Sequence, residues 1–413
     1  MHNSENNDLY EIQKKDEIRV YVQNKRRKGN GTFVALLLVF ALVLGYLAGV
    51  LTERYDTQNG VLQSRKMEKL RELIDENYYF SDRIDHKRAM ENAYGMYVGS
   101  FGDDFTYYLD EQSYMSMLES TTGNYVGIGV EVTVSEDNYI TVTNSFKGGP
   151  AFESGIEPGD KILSVEGTQY TGDNLDDAVS VLKGHEGEEV NIRIFDFSEN
   201  KEKDIKIIRR AVVLQTVDFK MLDNNIAYIK ISSFGNTTAG EFEKAYNEIK
   251  EKNPNGLILD LRNNSGGTLD SVVKVSDILM PEGQIVKIKY KSFENEVYNS
   301  DINSFEKKIV VLTNENTASA AELLAGGLRD NNNATLVGKK TFGKGVVGTM
   351  FPIDSKSAAV ITTGEYFLPN GDNIHGTGIM PHIEVDLPDD VKNIYLMDES
   401  KDTQLKRAIE EFE

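Results

Sequence analysis

Apolar positions change period several times along the 413-residue chain, and each change marks an element. Phe33 to Leu51 is a run of nineteen residues without a charge. That is about what a bilayer core needs at ~1.5 Å rise per residue, so 33–51 is predicted as one transmembrane helix. Met67, Leu70, Leu73 and Ile74 recur at helical spacing among charged neighbours, the mark of an amphipathic helix. A second helix is predicted over Arg88 to Tyr97, and a shorter one through Met117. From Val130 the period falls to two. Strands are predicted at Val130 to Val134, Tyr139 to Thr143, Val190 to Phe195 and Asp204 to Arg209, with a helix at Leu175 to Leu182. Beyond 213 the apolar runs become continuous: Asn225 to Ile231, Gly256 to Leu261 and Ile309 to Leu312 read as buried strands. Helices over Ala239 to Glu251 and Leu269 to Leu279 separate them, so the order implies parallel crossovers. Strands at Gln284 to Tyr290 and 358–363, and a helical pattern from Asp402 to Phe412, complete a multi-domain α/β chain.

Charge divides the chain at the apolar run. Residues 1–32 hold seven Lys/Arg against five Asp/Glu and end in the cluster Lys25 to Lys28, whereas the whole chain carries −21. The basic arm therefore stays in the cytoplasm and the remainder is exported. A cleaved signal peptide is the competing reading, but its apolar core is usually shorter, and no clear A-x-A site follows. The acidity argues against nucleic acid as a partner. There is no cysteine, and the five histidines lack metal-ligand spacing, so neither a metal site nor a cofactor is expected.

The candidate chemistry lies in KIVVLTNENTASAAELLAGGLRDNNNATLVGKKTFGKGVVGTM, residues 308–350. Ser319 falls where the strand Ile309 to Leu312 gives way to a helix carrying Leu323, Leu324 and Leu328. Free N–H groups and the positive helix end there can stabilise an oxyanion. Lys344 stands between two glycines. A serine needs a base, and a lysine serves once burial lowers its pKa. Ser265-Gly266-Gly267, after the strand Gly256 to Leu261, is a second place for N–H groups aimed at a ligand.

Two resemblances extend this reading. The stretch from Tyr125-Val126-Gly127-Ile128-Gly129 through GPAFESGIEPGDKILSVEG resembles a PDZ domain over residues 119–212. In such domains the loop equivalent to Val126, Gly127, Ile128 and Gly129 receives a peptide's terminal carboxylate, and the peptide adds as a strand. From about residue 65 onward the chain resembles the C-terminal processing peptidases, or tail-specific proteases. GDDFTYYL, the PDZ domain, DLRNNSGG, TASAAE, TFGKG and GTGIMP follow in that family's order.

The resemblance implies a crotonase/ClpP-like α/β protease core at 213–384 with the PDZ domain inserted. Around it lie an N-terminal helical region at 60–118 and a C-terminal helical tail at 385–413, which can take part in a homodimer. It implies Ser319 as nucleophile, Lys344 as general base, and an oxyanion hole from the Gly266-Gly267 turn and Ala320. Glu322 matches a motif acid read as supporting rather than catalytic. Substrates would be exported proteins with free C-termini, cut at a bacterial cell membrane.

There are departures. Many family members carry glutamine four residues after the lysine, where it orients that lysine; here Gly348 stands there. Asp104 and Ser265 replace prolines, and His382 an aspartate. A PDZ arginine that supports the active state in some members falls near Lys183, which keeps the charge without the bidentate fork. Gly348 leaves open a PDZ adaptor with a weak or inactive core. An acyl-CoA enzyme of crotonase type is the remoter alternative.

Overall fold

The computed structural model describes residues 65–122, 124–146, 148–301, 304–389, 391 and 394–413. The basic arm and the apolar segment 33–51 lie outside the described residues. Among the described residues no helix is long and apolar enough to cross a membrane. The chain divides into two compact units at His86. In the first, a helix over 65–77 is followed by a turn of 3-10 helix at Ser81–Arg83. Met67, Leu70, Leu73 and Ile74 of that helix are exposed.

The second unit contains the α/β core expected at 213–384. Its central sheet runs in the order Val217–Leu222, Ile226–Ile231, Gly256–Asp260, Lys308–Thr313, Thr335–Gly338, Ile383–Glu384. The first pair is antiparallel and every later pair is parallel. Both faces are covered, which is why its strands read as unbroken apolar runs. Ile309 and Val311 point to one face and join the helices Thr238–Glu251, Leu269–Leu279 and Ala320–Asn332. Val310 and Leu312 point to the other and meet Leu405 and Ala408 of the helix Thr403–Glu410. Each such side chain, fully buried, is worth about 1.5–3 kcal/mol.

A second, antiparallel sheet lies on the far side of the helical layer. It combines Val346–Pro352, Ala358–Phe367, Gly283–Tyr290 and Glu296–Ser300 with the short strand Tyr107–Leu109. The region 60–118, expected to be helical, thus also contributes a strand to the core. The structure extends 358–363 to Ala358–Phe367 and adds Val217–Leu222, Glu296–Ser300 and Val346–Pro352, for which the apolar pattern gave no signal.

The PDZ domain has its own core. Five strands, Val130–Val134, Ile140–Ser145, Lys161–Val165, Glu189–Asp196 and Lys201–Ile208, form an antiparallel sheet, with Thr168–Gln169 at its side and the helix Leu175–Leu182 packed on it. The chain enters along Asn124–Gly127 and leaves along Arg210–Val213, and these two segments pair as a ribbon. The C-terminal helix is fastened to the core by charge. Arg262 bonds Asp260 at 2.6 Å and Asp402 at 2.8 Å, all three buried, and Tyr228 donates to Asp260. This pins the strand end that leads into the Gly266-Gly267 turn.

Candidate active site

Two loops at the carboxyl ends of neighbouring core strands build the site. The loop after Gly256–Asp260 and the loop after Lys308–Thr313 are laced together. Asn263 N–H donates to Asn314 Oδ1 (2.8 Å), Ala318 N–H to the Asn264 carbonyl (2.9 Å), and Thr317 Oγ1 to the Leu261 carbonyl (2.8 Å). Asn264 is fully buried, and its amide also donates to the Ile231 carbonyl. The lacing places Ser319 directly before the helix Ala320–Asn332, at φ 56° and ψ −120°. A left-handed backbone at a non-glycine residue stores about 1–3 kcal/mol and clusters at functional sites.

The glycine turn fits against this serine. A Cβ on Gly266 would come within 2.8 Å of Ser319 Cβ, and one on Gly267 within 2.2 Å of the Phe234 carbonyl oxygen. Both have positive φ, so the close approach requires glycine twice over. The three expected N–H groups are not equivalent. Gly266 N–H donates to Asn264 Oδ1 at 2.9 Å. Gly267 and Ala320 N–H meet no acceptor among the described residues.

Lys344 reaches the same place from the loop between Thr335–Gly338 and Val346–Pro352. Ser319, Ala320, Gly266, Gly267, Lys344 and Gly348 all line one cavity of about 500 Å³, with Tyr107, Met117, Leu323 and Val360 as apolar walls. Burial lowers the Lys344 ammonium pKa below its ordinary value, and the Asp103 carboxylate partly opposes this. The ammonium lies 4.9 Å from the centroid of the Phe105 ring. Among the described residues no hydrogen bond joins Lys344 Nζ to Ser319 Oγ. Gly348 sits at a bulge of its strand and has no side chain to offer Lys344.

Glu322 is fully buried and gathers four donors. They are Ser319 N–H (2.8 Å), Lys344 N–H (2.8 Å), Gly343 N–H (2.7 Å) and the Thr341 hydroxyl (2.6 Å). One carboxylate thus ties the serine turn to the lysine loop. The sequence motif placed Glu322 beside Ser319; its bonds to 341–344 come from the fold. Sequence reasoning missed the roles of Asn264 and Phe105, which stand inside the motifs DLRNNSGG and GDDFTYYL, and did not single out Tyr366; their contacts are tertiary. His382, near the closing motif, accepts from Leu336 N–H at 3.0 Å.

In the PDZ domain a groove of about 180 Å³ lies between Ile128, Val130 and Val132 and the helix residues Val179 and Leu182. Ile128 faces this groove. Val126 and Gly127 lie in the entry ribbon, and Gly129 turns the chain at positive φ. Burial pushes the Tyr125 phenol up to about 12, while hydrogen bonds from Gly129 and Val130 N–H partly oppose it. Lys183 also lines the groove, bonds Glu119 at 2.7 Å and lies over the Tyr125 ring.

Comparison with known proteins accords with this arrangement. Residues 225–385 match peptidase family S41, and residues 141–194 match the PDZ domain family. The chain is 34% identical over 333 residues to the carboxy-terminal processing protease CtpA of Bacillus subtilis, covering 80% of this chain and 71% of that protein. It is 35% identical over 312 residues to a carboxy-terminal-processing protease of Bartonella bacilliformis, covering 74% and 71%. Among solved structures, an S41 protease from Bacteroides fragilis superposes with TM-score 0.54 at 18% identity, over 75% of this chain and 86% of that one, a likeness of fold. Fold and comparisons together define a serine-type peptidase. The chain belongs to peptidase family S41, among the carboxy-terminal processing proteases.

Proposed function

We propose that the protein is a membrane-anchored serine endopeptidase that cuts exported proteins captured by their C-terminal tails, with Ser319 and Lys344 as its dyad. One observation carries this reading: a serine held in a left-handed turn at a helix start shares a cavity with a lysine whose pKa burial depresses. Neutral Lys344 takes the Ser319 hydroxyl proton as Oγ attacks the scissile carbonyl. Gly267 and Ala320 N–H receive the oxyanion. Lys344 then gives its proton to the leaving amine, and water, deprotonated by Lys344 in turn, hydrolyses the acyl-enzyme.

The PDZ groove, apolar along its floor with Lys183 at its side, suits a tail ending in an apolar residue and a free carboxylate. Bound tails regulate access to the core. The apolar run 33–51 and the basic arm before it support a single-pass anchor in a bacterial cell membrane, with the N-terminus cytoplasmic and the protease outside. The exposed apolar face of the helix over 65–77 supports a homodimer, whereas the apolar face of the C-terminal helix is already packed on the core.

The test is cleavage of an unstructured protein with an apolar C-terminal tail by the full chain in detergent micelles, followed by mass spectrometry. Fragments lost in both Ser319→Ala and Lys344→Ala are expected. Undiminished cleavage in either variant overturns the dyad. Tail binding without cleavage by the unaltered chain would leave the adaptor reading, which Gly348 favours.

A further inference from the structure

With Gly348 in place of an amide side chain, something else must fix the direction of Lys344. Its position between Gly343 and Gly345 makes that requirement acute, because glycine neighbours leave the backbone free to rotate. On the amide side, Glu322 holds Lys344 N–H at 2.8 Å. On the carbonyl side stands Tyr366. Its hydroxyl donates to the Lys344 carbonyl and lies 3.2 Å from the Ser319 carbonyl. Among the described residues no other donor reaches the Lys344 carbonyl. Tyr366 also donates its own N–H to the Gly345 carbonyl at 3.1 Å, so ring and backbone both grip the lysine loop. Asn373 links the Gly345 and Tyr366 carbonyls, at 3.3 and 3.2 Å. The tyrosine is itself immobile: 3% exposed, it sits on the strand Ala358–Phe367 opposite Ile288 and packs into the protease core.

We propose that Tyr366 is a positioning residue for the Ser319–Lys344 pair, holding the two main chains in register and supplying from below the orientation that a side chain at 348 would supply at the lysine tip. The inference rests on the dyad reading. Tyr366 lines the same cavity as Ser319 and Lys344, but its hydroxyl is turned onto main-chain carbonyls, so it acts through Lys344. Burial, and then the charge of Glu322, push its phenol well above the ordinary value. The hydroxyl therefore remains a donor across the pH range in which Lys344 loses its proton. Glu322 and Tyr366 form a clamp of opposite polarity, the acid taking N–H groups and the phenol giving its one proton to the Lys344 carbonyl, with the Ser319 carbonyl beside it.

The experiment uses the full chain in detergent micelles and the tailed unstructured protein as substrate. Tyr366→Phe keeps the ring and removes the hydroxyl. The expected result is a fall in kcat of roughly tenfold to a hundredfold, the scale on which a small misplacement of a reacting group acts. KM should stay within about twofold, the uniform-binding signature being absent. The acidic limb of the kcat profile should move to higher pH as Lys344 swings toward water. The limb position does not depend on what fraction of the sample is folded, so a less stable variant still reports. Adding Gly348→Gln to Tyr366→Phe should restore kcat by at least about threefold, because an amide at 348 can orient the lysine tip. A Cβ at 348 meets only Val360 Cγ1, at 3.0 Å, so a small shift admits it.

An unchanged kcat and limb in Tyr366→Phe overturns the role. So does a fall in kcat with an unmoved limb and no rescue, since that marks a merely structural tyrosine. Ser319→Ala and Lys344→Ala run alongside. If Lys344→Ala cleaves at the unaltered rate, the dyad reading fails whatever Tyr366 does. If both controls are inactive and Tyr366→Phe is not impaired, the positioning role alone fails.

Discussion

As the proposed general base, Lys344 would be one residue that costs stability while enabling chemistry. Its folded-state pKa is depressed by burial, while in the unfolded chain it has the ordinary lysine value of about 10.4. Below the folded value both states bind the proton, and folding bears the cost of burying an ammonium. Above the unfolded value both are neutral and the cost is gone. Stability from this group therefore rises with pH between the two values. Lys344→Met removes the charge and keeps the apolar stem. Its melting temperature is expected to exceed that of the unaltered chain at pH 7, by a margin that narrows toward pH 10. Scanning calorimetry at several pH values checks this, and a margin that is constant or widens with pH contradicts it. The variant should be inactive throughout, so stability and activity move in opposite directions at one position.

At the scale of elements, the strand–loop–helix that places Ser319 was legible, because a continuous apolar run, a polar loop and small residues follow in order. The strand Val346–Pro352 was not. Gly348 interrupts its sequence, and its place comes from pairing with Ala358–Phe367. Glu296–Ser300 was missed for a related reason: it is an edge strand whose mostly polar residues carry no period. The site divides the same way. Ser319, Lys344, the glycine turn and Glu322 stand in compact motifs. Tyr366 and Asn264 act through hydrogen bonds to residues distant in sequence, which no local pattern encodes. The PDZ groove adds an element whose contacts were also invisible: Glu119, from the helix Glu111–Thr122, reaches across to Lys183. A half-exposed pair of this kind is worth at most about 1 kcal/mol. Glu119→Gln should free Lys183 for an incoming carboxylate and tighten tail binding about two- to fivefold, whereas Lys183→Gln should weaken it by a similar factor. Fluorescence anisotropy with a labelled apolar-tailed peptide, in a Ser319→Ala background, reads both. Equal affinities in the two variants would remove Lys183 from tail recognition.

For the whole molecule, the decisive feature is that the PDZ domain and the protease core are built on separate hydrophobic cores. Ile128, Ile140, Ile162, Val190, Ile192 and Ile194 belong to the PDZ cluster, and none of them belongs to the protease cluster around Phe234, Phe242 and Leu324. The covalent joint is the ribbon Asn124–Gly127 with Arg210–Val213. Two cores joined by a ribbon can melt separately, and this can be forced. Ile194 is fully buried, opposite Ile162 and Lys203. Ile194→Ala should cost the PDZ domain about 2–5 kcal/mol. For a domain of that size this lowers its melting transition by more than about 10 °C. The protease-core transition should stay in place. Between the two transitions the enzyme should still cut short peptides without a recognisable tail, while cleavage of the long apolar-tailed protein falls toward background. A single transition that moves as a unit would mean that the ribbon couples the cores into one cooperative body. Parallel loss of both activities would mean that the core cannot work without a folded PDZ domain. The first pattern makes the domain a receiver for tails, and the second makes it part of the machinery that assembles Ser319 and Lys344.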